Sequence, residues 1–345
     1  MTDMSQPEGS AYTRAGVDID AKMRALTLMS EAVRSTYGPE VLGGMGHFGG
    51  LYSAVRLTDM DHPVLVASTD SVGTKTMLAA RVGRYEGLGE DIVNHSINDI
   101  LVQGAEPLFF MDYLATPKVQ PEIIAALVSG MAKACRDAGC ALIAGETAEL
   151  PGVYQPGQFD VVGSIVGLIE RDRVIDGRRI TAGDQIIGLP SSGPHTNGYT
   201  LVRSVFAQSD LEAVHPDLGV SLAEAVLAPH RSYLPHVRRL REALEVKGLV
   251  HITGGGFYDN IPRILPSDLT ALVRRDSWTV PPLFRLIAQL GNVDEREMFR
   301  VFNMGMGMLV VVPAADVRRA LTLGGPGSAH IGEIVPRRDT AVELV

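Results

Sequence analysis

The stretch 63–75 restricts this chain more than any other. Its first half, Pro63-Val64-Leu65-Val66-Ala67, has the apolar, β-branched character of a buried strand and passes without a break into Ser68-Thr69-Asp70. An unpaired carboxylate is not carried into a core, so Asp70 marks a strand end that faces solvent or a ligand. In folds that alternate strands and helices, that edge is where ligands bind. Ser71-Val72-Gly73-Thr74-Lys75 then supplies a glycine turn that lets backbone approach an anion, followed by a compact positive charge. Asp70 offers hard oxygens to Mg2+, and Gly73, Thr74 and Lys75 offer a cradle for phosphate. The order differs from a Walker P-loop, in which Lys precedes Ser or Thr after a glycine-spaced loop. A capped turn with a surface lysine accounts for the same residues.

Two further acids fall where packing does not call for them. A helix is expected over 89–104, with Ile92, Val93, Ile97, Ile100 and Leu101 on its apolar stripe and Asn98 and Asp99 off it. A short strand at 141–144 ends in Gly145-Glu146. If Asp70, Asp99 and Glu146 converge, their repulsion asks for a divalent cation, and Mg2+ bridging ATP phosphates suits that oxygen chemistry. Singly, each reads as a helix-face or capping carboxylate. Residues 41–50 are rich in glycine, and Gly44, Gly46 and Gly49 match G-x-G-x-x-G in form. No strand leads into them and no helix follows, so a nicotinamide-binding fold lacks its context. A mobile loop over phosphates is expected, with a structural turn as the alternative.

The second half restarts with a strand at 185–189, after a polar stretch at 171–184 that reads as a domain boundary. The loop Ser191-Ser192-Gly193-Pro194-His195-Thr196-Asn197-Gly198 opens a helix and can hold an anion; Ser192, His195 and Asn197 are its candidates, with His195 as acid or base. Gly254-Gly255-Gly256 follow another strand and permit close approach to a phosphate. Strands and helices alternate through both halves, which predicts an α/β (α+β) protein with mixed sheets. The expected units are a flexible 1–15, an N-terminal domain at 16–172 and a C-terminal domain at 173–345, each domain burying its own core.

At 345 residues the chain is long enough for two domains of roughly 150 residues each. A formal charge of −9 leaves no basic field to gather nucleic acid or an anionic bilayer. The apolar stretches, such as 304–313, fall short of the ~20 residues that span a membrane. The polar start with Asp3 and Glu8 is unlike a secretory signal, and two cysteines, Cys135 and Cys140, suit a reducing cytoplasm. Neither G-x-S-x-G nor H-E-x-x-H occurs, which sets aside hydrolase and zinc-protease chemistry.

Six segments in order, AGVDIDA (15–21), STDSVGTK (68–75), NDILVQGAEPLFFMDYLAT (98–116), AGETAELPG (144–152), SSGPHTNGYTLVR (191–203) and HITGGGFYDNIPR (251–263), resemble the phosphoribosylformylglycinamidine cyclo-ligase, or AIR synthetase, family. The resemblance covers the chain from about residue 15 onward, departing at Ser71 and His47, where the family usually has Gly. It implies a two-domain fold whose N-terminal sheets pair across a homodimer. It also implies ring closure of formylglycinamidine ribonucleotide to aminoimidazole ribonucleotide, in which ATP phosphorylates the formyl oxygen so that it can leave. On that reading Asp70, Asp99 and Glu146 hold Mg2+. ATP falls to Asp70, Gly73, Thr74, Lys75, Asn98, Asp99, Glu146 and the loop carrying Gly44, Gly46 and Gly49. Substrate falls to Ser192, His195, Asn197 and Gly254 to Gly256, with Asp70, Lys75 and His195 closest to the chemistry. Selenophosphate synthetase and the hydrogenase-maturation dehydratase would need cysteines that are missing, so thiamine monophosphate kinase is the nearest enzymatic rival, with a silent nucleotide-binding partner as the non-enzymatic one.

Overall fold

The computed structural model describes residues 16–345; the segment 1–15, expected to be flexible, lies outside them. Strands β1 (Pro63–Ser71), β2 (Glu106–Thr116), β3 (Ala141–Glu149) and β4 (Asp160–Glu170) form one sheet in the order β1-β4-β2-β3. Only the β2–β3 pair is parallel. Along β4, Val161, Gly163, Ile165 and Gly167 are buried while Val162, Ser164 and Val166 are half-buried, the two-residue alternation of a sheet with one face covered. Helices α1 (Ile19–Arg34), α2 (Lys75–Val82), α3 (Glu86–Leu101) and α4 (Pro121–Ala138) complete this half. The side chain of Asp18 caps α1, and α4 runs from Pro121 in its first turn to Gly139 in a left-handed conformation at its end.

The second sheet runs β10-β7-β9-β5-β8-β6, built from β5 (Gln185–Pro190), β6 (Gly248–His251), β7 (Leu269–Val273), β8 (Met306–Val312), β9 (Ala329–Pro336) and β10 (Val342–Leu344). Every residue of β7 and β8 is buried, so both faces of this sheet are covered. Helices α5 (Tyr199–Val205), α6 (Leu222–Leu227), α7 (Leu234–Ala243), α8 (Gly256–Asn260), α9 (Pro282–Gly291), α10 (Glu295–Val301) and α11 (Val317–Gly324) surround it.

Separate cores for the two halves are not what the chain builds. Met308, Val310 and Val312 on β8 join α7 residues Leu234, Val237 and Leu240 and α3 residues Ile97 and Leu101 in one continuous cluster, while Leu309 and Val311 face a second cluster with Phe257, Phe284 and Phe299. The amphipathic α7 lies between the halves, and its single buried stripe of Leu234, Val237 and Leu240 enters this shared cluster. Helices α2, α9 and α10 were not assigned from the sequence; α2 is only eight residues long, whereas α9, with Pro282 in its first turn and Leu283, Phe284, Leu286 and Ile287 on one face, and α10, capped by Asp294, carry the usual helical signals. Strands β1 and β3 extend past the predicted ends, so Asp70 and Glu146 are strand residues rather than loop residues.

Helices α3 and α4 cross at glycines. A Cβ on Gly89 would lie 2.0 Å from the Leu127 carbonyl oxygen, and one on Gly130 would lie 1.9 Å from that of Glu86. Backbone contact of this kind places α3, and with it every polar group the helix presents to the second half. Gly89→Ala is therefore expected to destabilise the protein by about 1–3 kcal/mol through overpacking, read as a lowered midpoint in urea unfolding.

Candidate active site

One face of α3 carries Asp91, Asn94, His95, Asn98 and Asp99, spaced three and four residues apart so that they form a single polar stripe. The stripe docks the 228–233 segment of the second half. Asn94 Nδ2 donates to the His230 carbonyl at 2.7 Å, Asn98 Nδ2 donates to the Arg231 carbonyl at 2.9 Å, and Asn98 Oδ1 accepts from the Tyr233 N–H at 3.0 Å. Asn98 is thus fully buried and committed to backbone, not to a nucleotide.

Lys75 also departs from expectation. It opens α2, is completely buried, and pairs with equally buried Asp91 at 2.7 Å. Its remaining protons go to the His195 carbonyl at 3.0 Å and the Ala228 carbonyl at 2.9 Å, and Asp91 Oδ1 accepts the His230 N–H at 2.7 Å. Burial pushes the Asp91 carboxyl up to about 6 and the Lys75 ammonium down, while each charge favours ionisation of the other. With every donor used, Lys75 ties the halves together and does not reach a phosphate.

A cleft of about 700 Å3 opens between the halves, with Asp70, His95 and Asp99 on one wall and Asn197, His251 and Gly254 on the other. His95 Nε2 lies 2.8 Å from Asp70 Oδ2 and 3.5 Å from Asp99 Oδ2, and His251 Nδ1 lies 2.9 Å from Asp99 Oδ1. Asp70 and Asp99 therefore share one patch of wall. A chain of contacts closes the circuit: His95 Nδ1 to Thr196 Oγ1 at 2.7 Å, Thr196 Oγ1 to His230 Nδ1 at a long 3.5 Å, and His230 Nε2 to His251 Nε2 at 3.1 Å. One set of proton positions satisfies it. A doubly protonated His95 donates to Asp70 and Thr196, Thr196 to His230, neutral His230 to His251, and neutral His251 to Asp99.

The titration directions agree with this arrangement. Burial opposes charge on His95, but hydrogen bonds to Asp70 and Asp99 outweigh it and raise the imidazole to about 9. Burial pushes His230 and His251 down. Burial also works against ionised Asp70 and Asp99, yet their histidine partners hold both below the ordinary carboxylate range.

His195 is not on the cleft wall. It is fully buried at φ 62°, its ring stacked on His230 with centroids 3.9 Å apart. Its Nε2 accepts the Ser192 N–H at 3.3 Å, so Nδ1 keeps the proton and has no acceptor. Burial lowers its basicity sharply, and an acid or base role in contact with substrate does not fit. Ser192 Oγ donates to the Pro229 carbonyl at 2.6 Å, and Thr74 Oγ1 lies 3.3 Å from Thr200 Oγ1. Asn197 does face the cleft; its Oδ1 accepts the Gly254 N–H at 2.9 Å, and Asn260 Nδ2 binds the carbonyls of Gly254 and Gly256 at 3.2 and 2.8 Å. Gly255 turns at φ 92° between them, and Gly73 turns at φ 65° after β1.

Glu146 is elsewhere. It lies on β3, three strands from Asp70 on β1, roughly 14 Å at ordinary strand spacing. There it pairs with Lys22 at 2.9 Å beside a smaller cavity of about 260 Å3, which Gly44, Gly46 and Gly49 also line. Asp112, in the same cavity, is pushed up to about 7 by burial and by the neighbouring Glu146. Within one chain the three acids do not converge: Asp70 and Asp99 form one site, and Glu146 with the glycine loop forms another. Ser71 ends β1 with extended pairing to Val162, and neither it nor His47 has positive φ, so a side chain at these positions costs no backbone strain.

Asp91, His95, Thr196, His230 and His251 had no assigned role in the sequence reading. The visible signal was the spacing of Asp91, His95 and Asp99 at i, i+4 and i+8, which sets them over one another on α3.

Residues 53–169 match the family "AIR synthase related protein, N-terminal domain" and residues 181–345 match "AIR synthase related protein, C-terminal domain". The phosphoribosylformylglycinamidine cyclo-ligase of Desulfitobacterium hafniense (strain DSM 10664 / DCB-2) is 52% identical over 329 residues, covering 94% of this chain and 97% of that protein. The chain belongs to the phosphoribosylformylglycinamidine cyclo-ligase family. The cyclo-ligase of Magnetococcus marinus is 46% identical over 347 residues, covering 99% of this chain and 98% of its own length. Among solved structures, the hydrogenase maturation protein HypE in complex with ATP superposes with a TM-score of 0.69 at 19% identity, covering 94% of this chain and 90% of its own, a likeness of fold.

If Lys75 is a strut and not a phosphate ligand, Lys75→Met strands a buried carboxylate. The variant should lose about 3–5 kcal/mol of stability in denaturant unfolding while ATP affinity, titrated under folding conditions, stays within twofold. Unchanged stability with weakened ATP binding would place the ammonium on the nucleotide instead.

Proposed function

We propose that this chain is an ATP-dependent cyclo-ligase that converts formylglycinamidine ribonucleotide to 5-aminoimidazole ribonucleotide, releasing ADP and phosphate. The observation that carries the reading is the paired Asp70–Asp99 wall facing the Asn197–Gly254 wall across one cleft. Two carboxylates against a single His95 cation leave that wall net negative, so a triphosphate approaches it only with a divalent cation. Asp70, with 41% of its side chain exposed, and Asp99 present hard oxygens that suit Mg2+. When bound there, Mg2+ would neutralise phosphate charge as the γ-phosphoryl group moves.

The chain's own residues do the rest by position and exclusion. A formyl oxygen is a poor leaving group; phosphorylation lets it depart as phosphate once the amidine-derived nitrogen attacks. Ring closure is intramolecular, so the walls need to hold the substrate folded and keep water from the activated carbon. Asn197, fixed by Gly254, faces the substrate side, while His95 and His251 hold Asp70 and Asp99 ionised. The loop with Gly44, Gly46 and Gly49 is the element with the freedom to close.

A homodimer completes the proposal. The outer face of the first sheet carries Leu65, 57% exposed, with half-buried Phe109, Met111, Val162 and Val166, an apolar surface that suits a second copy. A two-fold axis along the strands would lay the β3 edge of one copy, with Glu146 and the glycine loop, across the β1 edge of the other, with Asp70. Asp70 points to the helix-covered face and Glu146 to the outer one, so the three acids would approach one another around that edge. Buried free thiols at Cys135 and Cys140 suit a reducing cytoplasm, and among the described residues no helix is long and apolar enough to cross a membrane.

The test of function mixes the purified protein with Mg-ATP and formylglycinamidine ribonucleotide and follows aminoimidazole product against released phosphate. Matched yields are expected; phosphate without ring product would sink the assignment. For the shared site, Asp70→Asn and Glu146→Gln are each expected to be folded and inactive alone, because charge is lost while shape is kept. Mixing and re-equilibrating the two should restore activity, since a hybrid dimer holds one intact pair. No recovery in a verified hybrid would return Glu146 to a local role.

A further inference from the structure

With Lys75 buried, the cleft is short of positive charge. Its walls carry Asp70, Asp99 and Asp176, and Arg263 is the single Arg or Lys among its lining residues. Arg263 closes the short turn Ile261–Arg263 after α8 and is exposed, and among the described residues no carboxylate lies within ion-pairing distance of its guanidinium. Asp176, on the same lining, is already paired with Arg178 at 2.7 Å.

A second donor shares this situation. Asn197 Nδ2 is shielded from solvent and has no acceptor, although the Oδ1 of the same amide is bound to Gly254. The two sit on one framework, because Asn260, three residues before Arg263, clamps the Gly254–Gly256 turn on which Asn197 rests. Unmade hydrogen bonds at a shielded donor are costly, and an unpaired guanidinium favours an oxyanion with two oxygens it can hold through two N–H groups at once.

We propose that Arg263, together with Asn197 Nδ2, forms the subsite for the phosphate monoester of the ribonucleotide substrate, across the cleft from the Asp70–Asp99 wall. This rests on the cyclo-ligase reading and deepens it. The triphosphate has metal and carboxylates to receive it, whereas a monoester dianion without a metal needs a protein cation, and the cleft wall supplies one. A neighbouring cavity of about 900 Å3 holds Arg296 and Arg300, but Asp259, Asp294 and Glu297 share it and outnumber them.

The experiment compares wild type, Arg263→Gln, Arg263→Lys and Arg296→Gln in steady-state kinetics, each first shown to melt within two or three degrees of wild type. Arg263→Gln is expected to raise KM for the ribonucleotide by about 10- to 100-fold, the loss of one charge-assisted contact, with KM for ATP within twofold. Arg263→Lys should recover part of the loss, because it keeps the charge and forfeits the fork. Arg296→Gln should leave both constants unchanged. A rise in KM for ATP, an unchanged ribonucleotide KM in Arg263→Gln, or a ribonucleotide effect confined to Arg296→Gln would each overturn the assignment. Calorimetric titration with ribose 5-phosphate asks the question without turnover: binding to wild type that Arg263→Gln weakens tenfold or more supports the subsite, and equal or absent binding to both refutes it. Failure of the cyclo-ligase reading shows separately, as wild type that makes no ring product.

Discussion

The buried contact between Lys75 and Asp91 is the interaction on which the arrangement of this protein turns. Both charges lie on helices of the first half, and the groups that complete their hydrogen bonding, the carbonyls of His195 and Ala228 and the N–H of His230, belong to the second. A buried ion pair adds little net stability, because desolvation offsets most of the attraction, but an incomplete one is expensive. The pair therefore acts chiefly through what it forbids: any docking of the halves that leaves one of those backbone groups out of place. It also accounts for the company His195 keeps, since a residue at φ 62° with an unshared ring proton persists only where its surroundings fix it.

From that seam follows the charge layout of the cleft. The same helical stripe that docks 228–233 through Asn94 and Asn98 turns the next residues, His95 and Asp99, toward the opening, so docking and ligand-facing groups alternate on a single helix. Anionic oxygen is gathered at one wall, held ionised by imidazoles, while unused donors sit at the other. Such a layout suits a reaction in which a metal-bound phosphate must be presented to one end of a substrate whose own charge is kept apart from it.

Much of this was visible in the sequence, for identifiable reasons. Asp70 could be placed because an apolar strand runs straight into it, and Asp99 because it falls off a clear helical stripe. Local pattern carries such information. Lys75, Asn98 and His195 were each read as ligand-facing, and each is buried against the other half; burial by a distant segment leaves no mark on neighbouring residues. Glu146 was read at the end of a short strand that in fact continues to Glu149, and which edge of the sheet that strand occupies is a matter of topology, since β4 inserts between β1 and β2 although it comes last in sequence. The fusion of the cores was hidden for the same reason, since α7 reads as an ordinary amphipathic helix and nothing local says that its stripe meets residues of both halves.

That fusion has a consequence for how the enzyme can breathe. Many two-lobed catalysts shut by swinging one lobe onto the other about a loose linker. Here the stripe of α7 and the side chains from α3 and β8 form one packed interior, which such a swing would tear open. The width of the opening is thus set when the chain folds, and admitting a reactant or shedding a product falls to small pieces at the rim rather than to the body of the molecule.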